Sequence, residues 1–200
     1  QRRDEIVISP KTLASVATRL DAELLYGDCL FESVSTDSRA IKAGELFVAL
    51  KGGHFDAHSY LQQVADAGAC GLVVEKEDPG IAIPQLRVQD TTVALAGLAS
   101  CCRDDFSGKV AAITGSSGKT TVKGLLANIM SYSGKVHATR GNLNNHIGVP
   151  LTLLAMEPGN DYLVMELGAS AAGEIAYLVD MVQPDVVVVN NVMPAHIEGF

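Results

Sequence analysis

Apolar positions in the second half of the chain fall into short runs separated by helical stripes. Lys109–Thr114 (KVAAIT), Lys135–Ala138, Tyr162–Leu167 (YLVMEL) and Asp185–Asn190 (DVVVVN) read as strands. Between them, Gly118–Tyr132, Pro150–Met156 and Ala171–Val182 read as helices, with Pro150 where a first turn tolerates it. An apolar helix, Thr91–Phe106, precedes the series. Apolar strands alternating with helices predict a parallel sheet covered on both faces.

The first half is less regular. Lys11–Leu20 carries apolar residues at 13, 16, 17 and 20, a helical spacing. Glu45–Leu50 (ELFVAL) reads as a buried strand, His58–Ala69 as a helix and Leu72–Glu75 as a strand released by Gly71. Asp78, Pro79, Gly80 and Pro84 punctuate turns, and a short strand is expected at Leu86–Val88. The expected class is α/β. A small mixed domain over 1–86 is followed, from about Arg87, by a parallel-sheet domain of the phosphate-loop type over 87–200. There is no internal repeat or low-complexity tract.

Composition narrows the function classes. Hydrophobic residues make up 48% of the 200 and charged residues 19%, which excludes a disordered chain. No apolar run reaches the roughly 18 residues of a membrane span, and QRRDEIVISPKTL lacks the apolar stretch of a signal peptide. Lys and Arg number 15 against 23 Asp and Glu, a net −8, so a nucleic-acid-gripping surface is not expected and phosphate must be held locally. Cys29, Cys70, Cys101 and Cys102 form no CxxC pair and read as free thiols of a reducing compartment.

The strongest chemical signal joins the first strand of the series to its helix: Gly115-Ser116-Ser117-Gly118-Lys119-Thr120-Thr121. Glycines allow the tight turn, and backbone N–H groups with the helix N-terminus suit a phosphate anion. Lys119 would reach the β- and γ-phosphates, and the Thr120 hydroxyl would ligate Mg²⁺. Ile113 stands where GxxxxGK[ST] places its first glycine, so the loop is a shortened variant. Glu166 ends the YLVME strand, on the sheet edge where ligands collect, and is either a metal ligand or a solvated strand end. Asp161, at the start of that strand, belongs to the opposite edge. Arg140–Gly148 (RGNLNNHIG) is a polar loop at the ligand edge, serving either phosphate binding or turn chemistry. His196 follows the last strand and is either a ligand at that edge or plain surface.

TGSSGKTT, RGNLNNHIGVPLTLL, VMELGAS-AAGEIAYLV and VNNVMPAHIEGF together resemble the Mur ligase family, in order and wording. STDSRAIKAGELFVALKGGHFDAH resembles its N-terminal, UDP-substrate domain. The resemblance spans nearly the whole chain. It implies an ATP-dependent ligase of bacterial peptidoglycan synthesis, cytoplasmic and monomeric, with ATP and Mg²⁺ as cofactors. The terminal carboxylate of UDP-N-acetylmuramoyl-tripeptide would be phosphorylated, and the amine of D-Ala-D-Ala would attack the acyl phosphate. Lys119, Glu166 and His196 would be catalytic; Thr120, Glu166 and His196 would hold metal. Gly115–Thr121 with Asn142, Asn144 and Asn145 would bind ATP. Ser35, Thr36, Asp37, Ser38, Arg39, Lys51 and Gly52 would bind the UDP substrate. Arg39 is a pyrophosphate or peptide contact or an ion-paired surface arginine, and His54 and His58 read as ordinary. The family continues beyond the AHIEGF stretch with a metal-bridging lysine and a C-terminal domain, so ligation by these 200 residues alone is not expected. Another amide ligase of this or the folate type, a non-ligase NTPase and a UDP-sugar binding module are the competing readings.

Overall fold

The computed structural model describes residues 10–53 and 55–193. Two compact units divide between Cys101 and Cys102.

In the first unit, β1 (Lys11–Thr12) leads into α1 (Leu13–Ala17). Thr12 and Ser15 form a reciprocal capping box there. Then follow β2 (Glu23–Leu25), β3 (Leu30–Phe31), β4 (Val34–Ser35), β5 (Leu46–Val48), β6 (Lys51–Gly52) and β7 (Phe55–Asp56). A 3₁₀ turn, Ala57–Tyr60, opens α2 (Leu61–Asp66), and β8 (Gly71–Val74) and β9 (Gln85–Arg87) complete the unit's strands. A five-stranded sheet has the order β2-β9-β8-β5-β4, with only β2 antiparallel to its neighbour. Its core gathers Phe47, Leu61, Val64, Leu72, Val74 and Ile81, so the sheet buries its face under α2. At roughly 2–3 kcal/mol per large apolar side chain, this burial holds the short helix in place.

Helix α3 (Thr91–Asp105) starts on Asp90, whose Oδ1 accepts the N–H groups of Thr92 and Val93. The division between units falls inside α3, later than the Arg87 boundary the sequence suggests. Its first turns belong to the first unit, because Gly97 meets Leu20 so closely that a methyl group there would lie 2.5 Å from Cδ2.

The second unit holds β10 (Lys109–Thr114), α4 (Lys119–Met130), β11 (Val136–Ala138), α5 (Gly148–Leu154), β12 (Tyr162–Glu166), α6 (Glu174–Val182) and β13 (Val186–Val189). The sheet is parallel, in the order β11-β12-β10-β13. Register pairs Ile113 with both Glu166 and Val188, so three strands end together. The other edge is closed by Asp161, whose carboxylate and carbonyl accept the N–H groups of Lys135 and Lys109. β13 departs from the buried strand its valines suggest. It is the outer strand among the described residues, and Val186, Val187 and Val189 are exposed. None of the four cysteines is in a disulfide; burial, with Cys70 nearby, pushes the Cys29 thiol up to about 12. No helix among the described residues is long and apolar enough to cross a membrane.

Candidate active site

The turn between β10 and α4 depends on two left-handed glycines, Gly115 at φ +134° and Gly118 at φ +75°. A Cβ at Gly115 would lie 2.9 Å from the Asn191 carbonyl, so the close approach also demands glycine. The segment after β13 packs on this turn. Ser117 N–H donates to Asn191 Oδ1 at 2.9 Å, and Asn190 Nδ2 donates to the Ser117 carbonyl at 2.7 Å. Ser116 N–H donates to the Asn191 carbonyl, and its Oγ exchanges hydrogen bonds with the backbone of Met193. Lys119 folds back and donates to the Gly115 carbonyl at 2.6 Å, while Thr121 is exposed.

Beside the turn lies a buried carboxylate. Glu166 is 2% exposed and receives three side-chain donors. Thr120 Oγ1 donates to Oε2 at 2.9 Å, Lys123 Nζ lies 3.1 Å from the same oxygen, and Asn144 Nδ2 donates to Oε1 at 2.9 Å. Burial pushes the Glu166 carboxyl upward. The bonds from Asn144, Lys123 and Thr120, with the lysine's charge, outweigh that and hold it below the ordinary carboxylate range. Thr120 Oγ1 and the carboxylate present oxygen donors only, the set a hard cation such as Mg²⁺ takes. Among the described residues no cluster of three His, Cys, Asp or Glu gathers, so such an ion would need further oxygens from a ligand.

The three loop asparagines differ. Asn144 reaches Glu166. Asn145 Oδ1 accepts the N–H groups of Ile147 and Gly148 and so starts α5. Asn142 is exposed and supplies a backbone carbonyl to Asn144 N–H. His196 lies outside the described residues.

In the first unit, Thr36, Asp37, Ser38 and Arg39 line a cavity of about 470 Å³ with Phe55 and Tyr60. Those two rings stack with centroids 6.2 Å apart and stand half open to solvent. Arg39 is an exposed arginine paired with Asp37 through two bonds, at 2.8 and 2.9 Å. Ser38 is buried, and Ser35 Oγ accepts Asp37 N–H. Lys51 lines a separate cavity, about 500 Å³, with Asp56, His58, Glu75, Glu77 and Asp78, while Gly52 sits in the β6–β7 hairpin. His58 spends neither ring nitrogen on open space. Its Nε2 accepts Glu75 N–H at 2.9 Å, so Nδ1 carries the proton and donates to Asp56 at 2.7 Å. His54 lies outside the described residues.

Residues 113–200 match the Mur ligase middle domain. The UDP-N-acetylmuramoyl-tripeptide--D-alanyl-D-alanine ligase of Escherichia coli is 47% identical over 189 residues, 94% of this chain and 42% of that protein. This chain belongs to the Mur ligase family. The Bacillus subtilis ligase of the same name is 35% identical, over 95% of this chain and 42% of its own length. A crystal structure of MurF from Acinetobacter baumannii superposes with a TM-score of 0.90 at 39% identity, covering 96% of this chain and 43% of that one. MurF ligase from Thermotoga maritima, solved in complex with ADP, gives 0.74 at 36% identity over 79% of this chain and 37% of its own. This Mur ligase chain thus spans about two fifths of the length of these relatives.

Three residues at these candidate sites stand outside the sequence motifs. Lys123 follows Thr120 by three positions on α4, a spacing that shares a helix face and was available as a signal. Phe55 and Tyr60 carry none, because only the hairpin and the 3₁₀ turn bring them to the Ser35–Arg39 stretch.

Proposed function

We propose that this chain is the UDP-substrate-binding segment and the first part of the ATP-binding domain of a ligase that joins D-Ala-D-Ala to UDP-N-acetylmuramoyl-tripeptide. The names of the relatives support the substrates, and the chain's own geometry supports the chemistry. The observation that carries the reading is the meeting of Thr120, Lys123 and Asn144 on one buried carboxylate beside a glycine turn.

Joining a carboxylate to an amine through an acyl phosphate first requires two anions to approach. The chain answers with local positive potential in a molecule of net −8. Backbone N–H groups of Gly118–Thr120, at the N-terminus of α4, would bind the β- and γ-phosphates, with the Lys119 ammonium swinging from Gly115 onto them. Thr120 Oγ1 and Glu166 would hold Mg²⁺, and His196 would contribute to a second ion. The ion, when bound, neutralises charge on the transferring phosphoryl group. Asn144 keeps Glu166 oriented toward α4. The cavity of Thr36–Arg39, Phe55 and Tyr60 would take part of the UDP substrate, fixing its distant end while its carboxylate reacts.

The test uses the full-length protein. Phosphate release from ATP should require both UDP-N-acetylmuramoyl-tripeptide and D-Ala-D-Ala, and single amino acids should not replace the dipeptide. Lys119→Ala should reduce turnover by at least about 10²-fold while leaving UDP-substrate binding intact. Release that needs no carboxylate substrate, or turnover retained in the alanine variant, would refute the proposal.

A further inference from the structure

Lys123 is only 7% exposed, and phosphate-loop chemistry does not require it. A buried ammonium is costly unless its charge is answered. Two acceptors answer it, Glu166 Oε2 at 3.1 Å and the Gly141 carbonyl at 3.2 Å. Thr120 and Lys123 approach the same carboxylate oxygen from one face of α4. Glu166 is therefore matched by a full positive charge within a hydrogen bond.

We infer that Lys123 is a resident cation that sets the metal requirement of this site. With it in place, a divalent ion meets a neutral Glu166–Lys123 pair. The ion gathers there only when the phosphates of a nucleotide add negative charge. The inference rests on the ATP-site reading above and adds a rule for how metal and nucleotide arrive. A cation on Oε2 is a neighbour of the ammonium, and like charges repel strongly where water is scarce. Triphosphate oxygens reverse that balance. Lys123 acts through Glu166 and through the loop it grips at Gly141, so it is a positioning residue.

The experiment titrates Mn²⁺ into the full-length protein, following free Mn²⁺ by electron spin resonance, first alone and then with ADP. Wild-type protein should bind Mn²⁺ weakly alone and tightly with ADP. Lys123→Met conserves volume and removes charge. It should lower the half-saturating Mn²⁺ concentration without nucleotide by at least about tenfold. Lys123→Arg keeps the charge and should stay within about threefold of wild type. An unchanged Mn²⁺ affinity in the methionine variant overturns the inference, as does an arginine variant shifted equally. If circular dichroism shows the methionine variant unfolded, Lys123→Gln carries the same expectation and the same refutation. Wild-type protein that binds no ADP overturns the ATP-site reading itself. ADP binding with a wild-type-like methionine variant overturns only the role of Lys123.

Discussion

Glu166 stays below the ordinary carboxylate range although burial pushes it upward, because Asn144, Lys123 and Thr120 all donate to it. Its folded-state pKa lies below the reference 4.5, so its stabilising contribution is present above that value and is lost as pH falls through the folded value. Glu166→Gln should cost about 3–5 kcal/mol near neutrality, since it leaves the buried Lys123 ammonium without a counter-charge. The deficit should shrink as pH falls from 4.5 toward the folded value, because the unfolded carboxyl takes up its proton there while the folded pair still holds it off. Urea unfolding of both proteins at about pH 7 and about pH 4 measures this; a constant deficit would contradict the assignment. At this scale, Lys119, Thr120 and Glu166 were legible because each is tied to a strand end or a glycine turn that the sequence displays. The choice among Asn142, Asn144 and Asn145 was not. Any of the three satisfies turn chemistry, and only the folded loop decides that one faces a carboxylate and another starts a helix.

Among the elements, α6 ends in an uncommon way. Gln183 adopts φ +45° without being glycine, and the freed carbonyls need donors. Arg103 supplies them: Nε donates to the Val182 carbonyl at 2.6 Å and Nη2 to that of Gln183 at 2.8 Å, while Nη1 donates to the Phe106 carbonyl just after α3 at 3.1 Å. Arg103→Met should therefore lower stability by about 1–3 kcal/mol, read as a lower Tm, with nucleotide affinity at the phosphate loop retained. Elements of the second unit were legible to within a few residues, since apolar strand runs alternate there with helical stripes. The pairs Lys11–Thr12, Leu30–Phe31, Val34–Ser35, Lys51–Gly52 and Phe55–Asp56 were not. Two residues carry no periodicity, and only their partners make them strands. The helix expected from His58 opens instead as a 3₁₀ turn, because Asp56 accepts His58 N–H and tightens the entry.

Over the whole chain, the α/β class and the alternation of the second unit were legible, whereas strand order was not. β10 lies between β12 and β13, and nothing local in its sequence names either neighbour. The boundary expected near Arg87 follows from where the strand–helix alternation becomes regular, yet α3 begins beyond it and still belongs in part to the first unit. The same dependence on distant pairing separates Lys51 from the Thr36–Arg39 stretch, although both are expected at one substrate: they line two different cavities.

The alignment of Ile113 with Glu166 gives β12 something like a reading frame. Side chains along a strand alternate between faces, so parity decides whether the acid looks toward α4 or away from it. Deleting Val164 would preserve the apolar character of the segment yet turn the carboxylate out of phase, and nucleotide binding measured by calorimetry should vanish. An extra glycine after Gly159, in the exposed turn before the strand, should be absorbed without loss.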